Sequence, residues 1–368
     1  MTTAYLDWNA TAPLRPEALA AMQVAFAAGG NPSSVHAAGR AARRTVENAR
    51  AAVAALVNVD PKQVIFTGGG TEANNLAIFG TAPERLIVSA IEHDAVLAAA
   101  HSTDMPVTLV PATSDGVVDV LAFDAAGPGT LVSLMLANNE TGVLQPVAEV
   151  AARARARGAL VHCDAVQAAG KVVVDFAALG VDLLTLSAHK LGGPQGVGSL
   201  VVRDGIDLDP VQRGGGQERG LRAGTENVAG IAGFGAAAAA SNPAAYAAIA
   251  RLRDELESRL LAIAPAATVF GAGQPRLANT TCIRMLGVPA ETQVMALDLA
   301  GLAVSAGSAC SSGKVRPSHV LTAMGHDEAA ARQAIRISLG WSTTMNEIDR
   351  LVAAWSALYS RTRARSAA

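Results

Sequence analysis

Between residues 45 and 235 the chain alternates short apolar runs rich in β-branched residues with alanine-rich stretches, a rhythm that few folds accept. A β-branched run bounded by turn residues packs as a buried strand, and an alanine-rich stretch favours helix. Strand, helix, strand is the unit of a parallel sheet covered by helices, because parallel neighbours need a long crossover between them. The strands expected are Val64–Thr67, Leu86–Ser89, Thr108–Val110, Thr130–Leu134, Leu160–Cys163, Leu183–Ser187 and Gly198–Val202. In such α/β sheets ligands collect beyond the carboxyl ends of the strands, so the polar clusters that follow these runs are the candidate site.

Past residue 240 the pattern changes. A helix over Ala244–Ile263, with Leu252, Leu256 and Leu260 at helical spacing, leads to a smaller α+β unit. Its strands are expected near Thr280–Met285, Ala303–Ser305 and Ile335–Leu339, and its helices at Glu291–Leu299, Ser318–Met324 and Asn346–Tyr359, followed by a solvated, frayed tail from Arg361 to Arg365. A chain of 368 residues, 51% hydrophobic, exceeds the size at which one core stops growing, which supports one large and one smaller domain. Val228–Ala240 is too short and glycine-rich to span a membrane and reads as a buried helix. A net charge of −2 leaves no basic stripe for nucleic acid. The three cysteines, Cys163, Cys282 and Cys310, form no disulfide framework, which fits a reducing, cytoplasmic compartment, and the first residues carry no secretory pattern.

Lys190 ends Ser187-Ala-His-Lys after one apolar run, and Asp164 ends another. A strand-end lysine can form a Schiff base with an aldehyde, and a nearby acid can keep a pyridine nitrogen protonated, a pairing that suggests pyridoxal phosphate. Taken singly, each reads more readily as an ordinary strand-end lysine or as a surface or capping aspartate. Thr67-Gly-Gly-Gly-Thr71 joins a strand to a helix and reads as a phosphate cradle or as a tight capped turn. Gln167 stands three residues after Asp164, where it can reach a ring oxygen. His93 and the run Asn138–Gly142 also follow strands; an imidazole there can stack on an aromatic ring or shuttle protons, or be plain polar surface. Arg336 alternates with apolar neighbours, and its guanidinium must find a partner or reach a cleft, where it suits a carboxylate.

Ser305-Ala-Gly-Ser-Ala-Cys310-Ser-Ser-Gly313 holds six serines and glycines in nine residues. Such a loop is expected to be mobile, and its cysteine sits where a thiolate can swing toward a substrate. Cys163 and Cys282 lie inside apolar strands and read as core.

Together with Tyr5-Leu-Asp-Trp-Asn-Ala-Thr-Ala12, Gly30-Asn-Pro-Ser-Ser-Val-His36 and Arg222-Ala-Gly-Thr-Glu-Asn227, these segments resemble the cysteine desulfurases across nearly the whole chain. The long serine-rich cysteine loop is similar to that of the branch serving nitrogen-fixation and housekeeping iron–sulfur systems. The resemblance implies a fold-type I pyridoxal-phosphate transferase with a mainly parallel seven-stranded sheet in residues 16–245. Residues 1–15 and 246–368 would form the small domain carrying the cysteine loop. It implies that Lys190 carries the cofactor, Asp164 pairs with its ring nitrogen, Gln167 contacts its ring oxygen and His93 stacks on it. Gly70, Thr71, Ser187 and His189 would hold the phosphate with Thr225 from a second subunit, hence a homodimer. Asn139 and Arg336 would orient the substrate, with Asn31 a weaker candidate.

The implied reaction converts L-cysteine to L-alanine and leaves sulfur as a persulfide on Cys310, for delivery to an acceptor such as an iron–sulfur scaffold protein. No permanent metal site is visible, although Cys310 could ligate a cluster transiently. Gln195 stands where many relatives have lysine, and the chain lacks the longer tail that helps some relatives dock a scaffold. The acceptor's identity therefore stays open. So do a selenocysteine lyase or other enzyme of the same fold, and a non-catalytic sulfur-relay scaffold.

Overall fold

The computed structural model describes residues 3–307 and 317–367. After a short β1 (Ala4–Tyr5), seven strands form the main sheet: β2 (Val64–Thr67), β3 (Arg85–Ser89), β4 (Val107–Val110), β5 (Thr130–Ser133), β6 (Leu160–Asp164), β7 (Leu183–Ser187) and β8 (Gly198–Val202). Their order is β2-β8-β7-β6-β5-β3-β4, with β8 antiparallel to both its neighbours and the other recorded pairs parallel. The central strands are buried throughout because both sheet faces are covered. Successive residues feed opposite cores: Ile65, Leu131, Leu183 and Leu200 join one cluster, while Phe66, Val132, Leu184 and Val201 join the other.

A second sheet has the order β12-β13-β10-β9 and is antiparallel, with β9 at Thr268–Val269, β10 at Thr280–Arg284, β12 at Ser305–Ala306 and β13 at Ala334–Ser338. It shares its own apolar cluster with the helices Tyr246–Ile263 and Met345–Ala367, through Leu256, Leu260, Ile337, Leu351 and Trp355. The single strand expected over Ala303–Ser305 is two strands. The chain changes sheet at Val304: β11 (Leu302–Ala303) pairs with β1, and Ser305 pairs with Arg336 of β13. Ser305 and Ala306 are thus strand rather than loop. The expected fray after Tyr359 is also corrected, since helix continues to Ala367. Arginine and alanine are good helix formers, and the Arg363 guanidinium lies over the Tyr359 ring one turn back. No helix among the described residues is long and apolar enough to cross a membrane.

Candidate active site

A cavity of about 230 Å³ opens beyond the carboxyl ends of the main sheet. The turn after β2 contributes Gly70 and Thr71, the loop after β3 His93, and the loop after β5 Asn139. β6 and its extension contribute Asp164 and Gln167, and β7 contributes Ser187, His189 and Lys190. Five parallel strands therefore deliver nine of the expected residues to one volume, because every strand that points the same way ends on the same side.

Lys190 Nζ donates to the carbonyls of Asn9 at 2.7 Å and Ala10 at 2.8 Å. Burial, followed by the nearby Arg336 cation, lowers its pKa to about 8. The amine is thus partly neutral near physiological pH and able to act as a nucleophile or base. Asp164 is buried, its Oδ2 accepting from Asn74 Nδ2 at 2.7 Å and its Oδ1 from the Val166 N–H at 2.9 Å. These bonds fix the carboxylate against the cavity wall. Gln167 donates through Nε2 to the Asn9 carbonyl and accepts at Oε1 from Lys171 Nζ.

His93 caps the helix Asp94–His101, and its Nδ1 accepts from the Ala95 N–H at 3.1 Å. A ring nitrogen that accepts is unprotonated, so in the neutral ring the proton sits on Nε2. The ring is accessible through the open cavity yet enclosed by protein on most sides, and that enclosure lowers its pKa. His189 is pushed down to about 4 by burial and then by Lys190, and its Nδ1 lies 3.2 Å from Thr11 Oγ1. Glu92, fully buried, accepts from the Met135 N–H, and burial raises its pKa well above the usual carboxyl range.

The cradle fits a phosphate. The helix Gly70–Gly80 makes its first backbone bond from Ala73 N to Gly69 O, so the amides of Gly70, Thr71 and Glu72 precede the ladder at its positive end. A Cβ at Gly70 would meet Val166 Cγ2 at 3.0 Å and Ser187 Cβ at 3.4 Å, filling the space a ligand needs. Asn74 Oδ1 and Asn139 Oδ1, both on cavity residues, are buried without a hydrogen-bond partner. The residues present therefore suit a flat ligand with an anionic end, an aldehyde and a ring nitrogen.

Arg336 finds a partner and does not line the cavity. Buried on β13, it donates to Asp7 Oδ1 at 2.7 Å and to the Asn139 carbonyl at 3.0 Å, with Nε unpaired. Asn31 is not brought to the site: it is exposed, and its Oδ1 accepts from the Ser33 N–H in a local turn. Thr225 is exposed and does not line this chain's own cavity. Cys310 lies outside the described residues. The residues that bracket its segment meet at one carboxylate: Ser318 Oγ donates to Glu140 Oε2 at 2.5 Å, and a Cβ on Gly307 would stand 2.7 Å from the same oxygen.

Sequence reading missed Asn9, Asn74 and Lys171. Asn9 lies within the amino-terminal motif, its only signal, whereas Asn74 lies on the helix that follows the glycine turn and Lys171 carries no local signal. The sequence profile of the Aminotransferase class-V family matches residues 4–351. The chain is 45% identical to a cysteine desulfurase of Cereibacter sphaeroides, covering 100% of this chain and 98% of the relative. It is 42% identical to a cysteine desulfurase of Klebsiella pneumoniae, covering 100% and 95%. A NifS-like protein from Rickettsia africae ESF-5, solved by X-ray, superposes with a TM-score of 0.90 at 33% identity, over 97% of this chain and 99% of that one. The architecture is the fold-type I transferase fold. The chain belongs to the aminotransferase class-V family, on the branch formed by the cysteine desulfurases.

Proposed function

We propose that the protein is a pyridoxal-phosphate-dependent cysteine desulfurase that turns L-cysteine into L-alanine and takes the sulfur as a persulfide on Cys310. One observation carries the reading: the Lys190 amine, with its pKa near 8, shares a cavity with the fixed Asp164 carboxylate and the glycine cradle. Lys190, Asp164, Gln167 and His93 would hold the cofactor ring. Gly70, Thr71, Ser187 and His189 would hold its phosphate, joined by Thr225 of the partner subunit. Bound there, pyridoxal phosphate supplies a sink for the electron pair at the substrate α-carbon.

The chain's own groups do the rest. Lys190 would take and return the α-proton as a base poised near neutrality. Asp164 holds a proton on the ring nitrogen, and Asn74 and the Val166 amide keep it aimed. Asn139, which lines the cavity, would orient the substrate, and Arg336, bonded to Asp7 and the Asn139 carbonyl behind it, would join by giving up one of those bonds. The Cys310 thiolate attacks the substrate sulfur: an S–S bond forms, the C–S bond breaks, and its electron pair passes to carbon, which is protonated to give alanine. The hydrogen bond of Ser318 to Glu140, with Gly307 beside the same carboxylate and next to Asn139, supports delivery of that cysteine to this cavity.

We assign residues 16–245 to the cofactor-holding domain and residues 1–15 with 246–368 to the small domain. The protein acts as a cytoplasmic homodimer that passes sulfur to an acceptor such as an iron–sulfur scaffold. Incubating the holoenzyme with L-cysteine should yield alanine, and the peptide containing Cys310 should gain one sulfur atom by mass spectrometry. Cys310→Ala should keep the cofactor absorbance and lose that added sulfur. Parent-rate sulfide release by Cys310→Ala would exclude the attack assigned here.

A further inference from the structure

Behind the cavity lies a second buried lysine that the reaction above does not use. Lys171 is 4% exposed, and its Nζ donates to Gln167 Oε1 at 2.8 Å and Asn9 Oδ1 at 2.9 Å. Among the described residues no carboxylate stands within hydrogen-bond reach, and burial, followed by the cations Lys190 and Arg336, pushes its pKa well down. An unpaired buried amine is costly, so its position calls for a reason.

The two ends of a carboxamide have the same shape, and only their partners decide which end points where. With Lys171 on Oε1, the Gln167 amide must turn Nε2 the other way. One N–H then reaches the Asn9 carbonyl at 2.8 Å, and the second is left for the cavity that Gln167 lines. Asn9 is fixed likewise: its Oδ1 receives Lys171 and Asn279, which sends Nδ2 to Thr280 Oγ1. The carbonyl of that same Asn9 receives the Lys190 amine. Neither Lys171 nor Asn9 lines the cavity.

We propose that Lys171 is a positioning residue that locks the Gln167 amide as a hydrogen-bond donor toward the cofactor's ring oxygen and steadies Asn9 beneath Lys190. This rests on the pyridoxal-phosphate reading above. A donor facing an anionic oxygen favours its deprotonated form, so losing the donor raises the pH midpoint of the bound cofactor's absorbance.

The test is a double-mutant cycle on the holoenzyme, reading that midpoint together with the thermal transition. Gln167→Leu should move the midpoint up by about one pH unit, a tenfold change in proton affinity. Lys171→Met should move it in the same direction, and the double variant should match Gln167→Leu alone. Lys171→Gln, which still offers an N–H, should fall between parent and Lys171→Met and serves if the methionine variant fails to fold. A parent midpoint in both Lys171 variants overturns the proposal. So does a Lys171→Met shift that persists in the Gln167→Leu background, which would mark a direct charge effect. A parent protein that takes up no pyridoxal phosphate overturns the cofactor reading and this proposal with it. A parent that binds the cofactor and yields alanine, beside a Lys171→Met variant that titrates as the parent does, overturns the proposal alone.

Discussion

Lys190 was legible through its pairing with Asp164 at the end of a second apolar run, and its surroundings give that lysine a pH behaviour. Burial and Arg336 both disfavour the ammonium, so the neutral amine becomes the major form above pH 8. Only the neutral amine attacks an aldehyde. The rate at which apoprotein takes up pyridoxal phosphate should therefore climb between pH 7 and 9, from about one-tenth to about nine-tenths of its plateau. Stopped-flow absorbance measures it, and a rate already flat at pH 7 would refute the lowered pKa. Arg336→Met removes the second cause, so its midpoint should lie above the parent's. Lys171 and Asn9 escaped the sequence reading for the opposite reason: their meaning lies in hydrogen bonds across 162 positions of chain, which no local pattern encodes.

At the scale of elements, the sheet was legible wherever burial alone dictated it. β2, β7 and β8 start and end where short, largely apolar runs meet turn residues. What local pattern could not reveal was pairing. Nothing in Ala303–Ser305 announces that Ala303 pairs with Tyr5 and Ser305 with Arg336, because the partners lie in distant segments and two-residue strands carry no period. The reversed direction of β8 has a consequence at the cradle. A Cβ on Gly198 would meet the Gly69 carbonyl carbon at 2.5 Å and its Cα at 2.8 Å, and backbone cannot step aside. Gly198→Ala should cost about 1–3 kcal/mol in urea unfolding and weaken pyridoxal phosphate binding in parallel, because the displaced backbone is the phosphate turn itself. Parent-like stability and affinity together would show that the turn yields more easily than its geometry indicates.

For the molecule as a whole, the cavity is lined by the main-sheet unit, and the amino-terminal segment ties it to the second sheet. Asn9 receives Lys190 from the main sheet while its own N–H reaches Ser338 Oγ and its Nδ2 reaches Thr280 Oγ1 in the second sheet. One wall is still open: beside the cradle a recess runs past Thr71, Gln195 and Gly196, and this chain's Thr225 stays exposed elsewhere. A homodimer in which each subunit lends Thr225 to the other's phosphate accounts for both observations. Hybrid dimers test it without appeal to size alone. Lys190→Ala destroys the cavity of its own subunit, and Thr225→Glu sets a carboxylate against the phosphate of whichever cavity it reaches. If Thr225 crosses over, a dimer of the two variants has one cavity with both defects and one with neither, so the purified hybrid should recover about half the parent's activity per dimer although each homodimer is inactive. If Thr225 serves its own subunit, every cavity in the hybrid carries one defect and none recovers. Because the two outcomes differ in the presence of activity and not in its degree, the assay separates them even when Thr225→Glu also loosens the dimer.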